Sequence, residues 1–193
     1  MLELILASQN KHKVQELNQL LGSSFQVSSP AKKLEVDESA DTFSGNAKLK
    51  AMAYFMEFRQ PAVSDDSGII VDALPNELGV RSARFAPQFS DYKDKNDHLL
   101  EKLHGLPIEK RTARYVCDLC FVLSKDEIFH FEGRLEGLIG LVAKGSGGFG
   151  YDPIFYPKDI TGQSIAELAD WKAENSHRAK ASALAKNFFQ SYL

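Results

Sequence analysis

The chain has 193 residues, 44% of them hydrophobic, and a formal net charge of −3 at neutral pH. This length and composition predict a single domain over residues 1–193 with a sizeable core. The slightly acidic balance argues against a nucleic-acid partner, which would favour a basic face or tail. No apolar run approaches the length of a membrane span, and residues 1–7 are too short for a signal peptide. We therefore expect a cytoplasmic protein that has no membrane partner.

The first predicted element is a buried strand over residues 2–7, followed at once by a helix in which Val14, Leu17 and Leu21 recur at helical spacing. Residues 8–13 therefore lie at a strand end and a helix start, where free N–H groups favour an anion. Lysines in a first turn oppose the helix dipole, and either a bound anion or simple solvation would account for them. The candidate anion-binding residues are Ser8, Gln9, Asn10, Lys11, His12 and Lys13.

An acidic loop and a second helix come next, after a short strand over residues 25–27. Phe43, Ala47, Ala51 and Phe55 repeat in four-residue steps and predict a helix over about 42–58, with Lys50 on one flank. Acidic loops are mostly solvated, but a carboxylate of residues 35–41 could instead share a metal with a later aspartate.

The stretch Asp65-Asp66-Ser67-Gly68 joins two strand-like runs. Side chains alternate along a strand, so the neighbouring aspartates would point to opposite faces. Carboxylate oxygens suit Mg²⁺, which makes this stretch a candidate metal and phosphate site. The alternative is a solvated turn, since Asp, Ser and Gly are ordinary turn residues.

The middle of the chain predicts a helix over residues 91–104 and two long strands over 112–123 and 127–142, joined by a hairpin turn. The two cysteines, Cys117 and Cys120, are spaced C-x-x-C on the first of these strands. A zinc ribbon needs a second ligand pair, which the sequence lacks, so we interpret both as buried strand thiols. Arg81 and Arg84 lie in an earlier loop, where a substrate contact is one possible role.

A glycine-rich loop spans residues 144–153. Its glycines match G-x-G-x-x-G, but a dinucleotide site requires a helix next, and Pro153 biases the chain towards extended structure. The Walker loop fails too, because no Gly-Lys-Ser/Thr ends the run. What remains is a hairpin corner or a loop whose rings stack on a nucleobase. The candidate base-binding residues are Phe149, Gly150, Tyr151 and Asp152.

The last helix follows Ser176, a candidate N-cap, and has Ala181, Leu184 and Phe188 as its core stripe. The preceding and first-turn residues Lys172, His177 and Arg178 could read base edges. Four polar stretches therefore sit at element junctions, which gather beyond the carboxyl ends of strands in an open α/β sheet. Cations for phosphates, acids for a metal and rings for a base together indicate a nucleotide site.

Several motifs in this order resemble those of the inosine/xanthosine triphosphate pyrophosphatases. They are Ser8-Gln-Asn-Lys-His-Lys13, Thr42-Phe-x-x-Asn46-Ala with Lys50-Ala51, Asp65-Asp-Ser-Gly68, Gly148-Phe-Gly-Tyr-Asp-Pro153 and Ser176-His-Arg178. The match runs from residue 5 to about 182. The resemblance implies an α/β fold of two lobes, in which a long curved mixed sheet is flanked by helices and the active site lies in the cleft between the lobes. It also implies a homodimer and Mg²⁺-dependent cleavage of ITP, dITP and XTP to the monophosphate and pyrophosphate.

The resemblance further implies a role for each matching residue. Ser8–Lys13, with Asn10 and Lys13 as chief contacts, and Lys50 would bind the triphosphate of the purine nucleotide. Asp66 would hold Mg²⁺ and act as general base, Glu38 would be the second metal ligand, and Ser67 would touch the substrate. Phe149–Asp152 would hold the base and sugar, while Lys172, His177 and Arg178 would read the purine edge.

Two positions depart from the family pattern. Gly45 stands where the family often has glutamate before Asn-Ala, and Ala40 lies near a position where glycine is frequent. Both bear on the metal ligands, Glu38 especially.

Three alternative functions are separable. A pyrophosphatase for modified pyrimidines fits poorly with Lys172, His177 and Arg178, and a non-catalytic nucleotide-binding module fits poorly with an intact Asp66. A phosphatase would release orthophosphate, so its product would distinguish it.

Overall fold

The computed structural model describes residues 1–192. The strands are β1 Leu2–Leu6, β2 Phe25–Ser28, β3 Ala62–Val71, β4 Thr112–Val122, β5 Ile128–Ile139 and β6 Phe155–Pro157. The α-helices are α1 Lys11–Leu21, α2 Phe43–Phe58, α3 Tyr92–Lys102, α4 Ala169–Asn175 and α5 His177–Tyr192. Across the described residues, no helix is long and apolar enough to cross a membrane.

The strands form one mixed sheet in the order β2-β1-β3-β4-β5-β6. β1 pairs in parallel with both β2 and β3, placing Leu4 beside Val27 and Leu6 beside Val63. β5 and β6 pair in antiparallel fashion. An α/β fold built on a mixed sheet flanked by helices is thus confirmed.

The chain divides into two compact units, each with its own core. The first comprises Met1–Ser67, Cys117–Gly133 and the chain from His177 onward, and the second comprises Gly68–Val116 and Arg134–Ser176. The main core of the first unit is built from β1, β2, α1, α5 and the adjoining parts of β3 and β4. The core of the second is built from α3, β5 and the remaining parts of β3 and β4, among other segments.

Close packing of α5 on β5 explains one glycine of the first unit. A Cβ at Gly133 would collide with the backbone of His177 and Ala181. Glycine therefore lets the first turn of α5 lie directly on β5, and this contact fixes the positions of His177 and Arg178.

The predicted elements are confirmed in order and type, with three differences. β5 ends at Ile139 rather than at residue 142, and Leu141 and Val142 are exposed. Asp152–Ile154 form a 3-10 turn before β6, because the fixed φ of Pro153 suits the first position of a helical turn. The short helix α4 was not predicted, since seven residues with no buried side chain carry no periodic signal.

The cysteines are two free, fully buried strand thiols, as predicted. Cys117 packs in one core cluster and Cys120 in another. Burial raises the pKa of Cys117 well above its usual value and that of Cys120 to about 12. Both are therefore protonated, which disfavours metal binding and nucleophilic chemistry.

Candidate active site

The first turn of α1 is open to an anion, and Asn10 is its N-cap. The Asn10 side-chain oxygen accepts from the N–H groups of His12 at 3.0 Å and Lys13 at 3.4 Å. Ser8 Oγ in turn accepts from the Asn10 N–H at 3.2 Å. The Asn10 side-chain oxygen is therefore occupied by the helix cap. The first turn contains no acidic side chain. The helix dipole there favours a negative ligand.

Asp65 is the central acceptor of a buried charged cluster in the first unit. Its side chain is 1% exposed and accepts from Lys13 Nζ at 3.0 Å, Ser67 Oγ at 3.0 Å and Arg178 Nε at 2.5 Å. Cys117 Sγ lies 3.5 Å from its second oxygen. Burial opposes the charge, but Arg178 and Lys13 outweigh burial and hold the pKa of Asp65 well below its usual range. Asp65 is therefore ionised and fixed in place.

Arg178 uses all three guanidinium nitrogens within this cluster. Besides Nε to Asp65, one terminal nitrogen donates to both Glu16 oxygens at 3.0 and 3.1 Å. The other contacts Asp65 and Ser67 Oγ, each at 3.4 Å. Its side chain is 4% exposed. An arginine engaged in this way orients Asp65. Its role as a reader of the purine edge stays a prediction.

Asp66 points away from this cluster and meets Lys50. Lys50 Nζ donates to Asp66 Oδ1 at 2.6 Å, to Glu38 Oε2 at 3.0 Å and to the Asp65 carbonyl at 3.2 Å. The expected alternation of the two aspartates is confirmed by these separate sets of partners. Burial raises the pKa of Asp66 to about 6, and Glu38 adds to the rise while Lys50 opposes it.

The chemistry of these donors fits a hard divalent cation. Two carboxylates, Glu38 and Asp66, converge on one ammonium group, which occupies the kind of place a metal ion would take. Within residues 1–192, no three His, Cys, Asp or Glu side chains form a ready-made metal site. Mg²⁺ commonly binds one or two carboxylates and completes its shell with water and phosphate, so the pair is sufficient.

A cavity of about 410 Å³ in the first unit is lined by Glu38, Lys50 and Asp65, while Asp66 is not part of its lining. Lys33, which the sequence reading did not single out, adds a further cation and pairs with Glu35 at 2.9 Å. The predicted residues that line the cavity are Ser8, Gln9, Asn10, Lys13, Glu38 and Lys50.

The second unit contains a separate cluster on the glycine-rich loop. Asp152, 3% exposed, accepts from Lys172 Nζ at 2.5 Å and from the Phe149 N–H at 2.8 Å. Lys172 Nζ also lies 4.5 Å from the centre of the Phe149 ring, which is 66% exposed. Asp152 further accepts from Tyr115 Oη at 3.3 Å. The loop therefore presents an open ring with a cation fixed beside it.

The rest of the loop is held by Tyr151 and α3. Tyr151 Oη donates to the Ser82 carbonyl at 2.7 Å, and its ring meets Tyr92 edge-on at 5.4 Å. Asn96 Nδ2 donates to the Gly150 carbonyl at 3.1 Å. Gly148 and Gly150 have φ of +73° and +67°, which only glycine adopts readily, so this path depends on glycine.

The remaining predicted residues are placed more simply. Lys11 and His12 are exposed in the first turn of α1, and His177 is buried at the first position of α5. The roles of Asp65 and Glu16 were missed. The only signal in the sequence was that Asp65 stands beside Asp66. Arg178 is 113 residues from Asp65 and 162 residues from Glu16, so no local pattern links them.

Comparison with known proteins identifies a family match over residues 4–188, to the Ham1 family. A dITP/XTP pyrophosphatase of Symbiobacterium thermophilum is 43% identical over 183 residues, covering 93% of this chain and 91% of that protein. The dITP/XTP pyrophosphatase of Halalkalibacterium halodurans is 40% identical over 187 residues, covering 94% and 95%. Among solved structures, the Staphylococcus aureus Ham1 protein is similar with a TM-score of 0.89 and 31% identity, covering 99% of this chain and all of that one.

Proposed function

The chain belongs to the Ham1 family, and on that premise we propose that it hydrolyses non-standard purine nucleoside triphosphates, namely ITP, dITP and XTP. The products are the nucleoside monophosphate and pyrophosphate. The observation that carries the proposal is the convergence of Asp66 and Glu38 on Lys50, with Lys13 lining the same cavity. Acids for a metal and cations for phosphates are there brought into one place.

The triphosphate is bound, in this proposal, by the first turn of α1 together with Lys13 and Lys50. The N–H groups of the turn and the two ammonium groups offset the charge of the phosphates. Lys50 pairs with Asp66 and Glu38, and its ammonium group is the second cation available to the phosphates. Asp65 keeps Lys13 in position through the 3.0 Å ion pair.

Asp66 is the general base in this mechanism, and Glu38 and Asp66 would hold Mg²⁺. When bound, Mg²⁺ supplies charge stabilisation at the phosphates and a more acidic water. Water attacks the α-phosphorus and gives a proton to Asp66, while the bond from that phosphorus to the bridging oxygen breaks and pyrophosphate leaves. Burial raises the pKa of Asp66 to about 6 in the metal-free protein, so its proton affinity is above that of an ordinary carboxylate.

Discrimination against ATP falls, in this proposal, to the loop of the second unit. The exposed Phe149 ring stacks on the base, and Lys172 beside it donates to the 6-oxo oxygen of hypoxanthine or xanthine. The 6-amino group of adenine cannot accept that bond and would leave the donor unpaired. Tyr151 and Asp152 hold the loop in shape.

We further propose that the enzyme is a cytoplasmic homodimer. The homodimer follows the family resemblance, and two free buried thiols are compatible with a reducing compartment. Light scattering after size exclusion would test the dimer, since a mass of 21.5 kDa corresponds to one chain.

Product analysis tests the reaction itself. ITP, XTP, dITP, ATP, GTP and dTTP are each incubated with Mg²⁺ or with chelator, using the natural protein and Asp66→Asn. We expect metal-dependent pyrophosphate from the first three, lost in the variant. Orthophosphate release, or equal rates on ATP and ITP, would contradict the proposal.

A further inference from the structure

The second unit has another cavity, of about 420 Å³, beside the 3-10 helix Gly79–Arg84. Arg81 and Arg84 line it on one side, and Phe85 and His98 contribute a wall of rings 5.8 Å apart. None of these residues lines the cavity of the first unit. Among them, the sequence leaves a substrate contact open for Arg81 and Arg84 alone. Cavities of this volume are typical of small-ligand sites.

The two arginines share one face of the 3-10 helix. Such a helix has three residues per turn and rises about 2 Å per residue, so side chains three apart lie one above the other. Both are exposed. In contrast, Arg111 donates to three carbonyl groups and Arg114 pairs with Asp72. Throughout the described chain, no hydrogen bond or ion pair engages the side chain of Arg81 or Arg84. Two positive side chains on one face of a short helix favour an anion between them.

The acidic groups nearby do not neutralise this pair. Glu77 is the acid that lines the cavity, and its carboxylate pairs with Lys102 Nζ at 2.9 Å. The Glu101 carboxylate is 3.9 Å from His98 Nδ1. The cavity therefore keeps an excess of positive charge.

The backbone around the cavity is held in unusual conformations. Ala86 has φ of +48° and Asn76 has φ of +68°, and both line the cavity. Left-handed non-glycine residues cost free energy and persist where the surroundings determine them, often at ligand sites. The backbone on two sides of this open groove is therefore held in a defined shape.

We propose that this cavity binds a diphosphate group through Arg81 and Arg84. Planar guanidinium groups pair with phosphate oxygens by paired hydrogen bonds, and two of them match an anion that has two phosphate groups. The diphosphate can belong to inorganic pyrophosphate or to a nucleotide, whose base the Phe85 and His98 rings would contact.

The site is connected to the glycine-rich loop within the same unit. Ser82 lies between the two arginines, and its carbonyl accepts the 2.7 Å hydrogen bond from Tyr151. The Phe85 and Tyr151 rings are also 6.4 Å apart. An anion bound by Arg81 and Arg84 would therefore fix the position of Ser82, whose carbonyl holds Tyr151 of the glycine-rich loop.

The test is binding in metal-free solution with chelator, followed by NMR of the arginine Nε–Hε signals. The Arg81 and Arg84 signals are assigned from their loss in Arg81→Gln and Arg84→Gln. Pyrophosphate, ADP and adenosine are titrated into the natural protein and into Lys13→Gln, which weakens the α1 site. The double variant Arg59→Gln/Lys125→Gln removes the same charge elsewhere and serves as control.

We expect saturable shifts of both signals with pyrophosphate or ADP, unchanged in Lys13→Gln. The double variant Arg81→Gln/Arg84→Gln should bind the same anion about tenfold more weakly or worse, and the control should bind normally. Tighter binding of ADP than of pyrophosphate would identify a nucleotide, and the reverse would identify pyrophosphate. Shifts that sodium chloride reproduces at equal ionic strength, or undiminished binding by the double variant, would overturn the proposal.

Discussion

Asp65 and Asp66 are neighbours with opposite electrostatic roles. Asp65 faces two cations and stays ionised, whereas Asp66 is buried beside another acid and has a pKa of about 6. Strand alternation predicts that they point apart, but it does not tell which one is paired with Arg178. One residue thus organises the cluster and the other is free to accept a proton.

The raised pKa of Asp66 makes stability depend on pH. Because the folded state holds this proton more tightly than the unfolded chain, the contribution of Asp66 is fully present below about pH 4 and is lost as pH rises through about 6. Asp66→Asn should therefore flatten the decline in unfolding free energy across this range. Urea unfolding in chelator at several pH values measures it. Asp126→Asn, in an exposed turn, is the control, and parallel curves for Asp66→Asn and the natural protein would contradict the assignment.

Arg178 gives a second prediction at the residue scale. Arg178→Lys keeps the charge but loses the contacts of the planar group, so Asp65 and Glu16 lose hydrogen bonds in a buried cluster. We expect unfolding free energy to fall by about 3 kcal/mol. Arg114→Lys, in a half-exposed pair with Asp72, should cost less than about 1 kcal/mol. If Arg178 instead reads the purine, the variant would keep its stability and change only the ratio of ITP to ATP hydrolysis.

At the scale of elements, Gly45 and Ala40 meet at the start of α2. A Cβ at Gly45 would stand 2.6 Å from Ala40 Cβ and 2.9 Å from Thr42 Oγ1, the N-cap oxygen. A larger residue at position 45 thus needs a smaller one at 40.

A double-mutant cycle tests this compensation. Gly45→Ala gains helix propensity of up to about 1 kcal/mol but forces the close contact, so we expect a net loss of about 1–2 kcal/mol. Adding Ala40→Gly should recover most of that loss, and Ala40→Gly alone should not stabilise. Urea unfolding of all four proteins measures the coupling. Additive effects would show that positions 40 and 45 do not meet.

Periodicity predicted the long elements because each has a buried face. In α5 the predicted core stripe was partly wrong, because Leu184 and Phe188 are exposed and the buried face instead carries Ala181, Ala185 and Phe189. The core stripe of α1, Leu17 and Leu21, is fully buried, and so is Ala51 of α2. For the charged cluster around Asp65, the sequence predicted only that its polar residues lie where strands and helices meet, and not which residues pair. The pairing of Arg178 with Asp65 depends on the packing of α5 against β5 at Gly133, which no local pattern contains.

For the whole molecule, three of the four boundaries between the two units fall inside strands, and the fourth, Ser176–His177, lies between α4 and α5. The chain passes between units at Ser67–Gly68 in β3, at Val116–Cys117 in β4 and at Gly133–Arg134 in β5. Each of these strands belongs in part to both units. Unfolding one unit would therefore break strands that the other requires, and we expect a single cooperative transition.

Natural probes report on each unit separately. Trp171, the single tryptophan, packs against the core of the second unit, and Cys117 and Cys120 are buried in the first. Tryptophan fluorescence and thiol labelling, followed across the same urea series, should give coincident midpoints. Labelling that precedes the fluorescence change would mean that the first unit opens alone. In that case the charged cluster around Asp65 would be lost while the glycine-rich loop stayed folded, and activity would follow the thiols rather than the tryptophan.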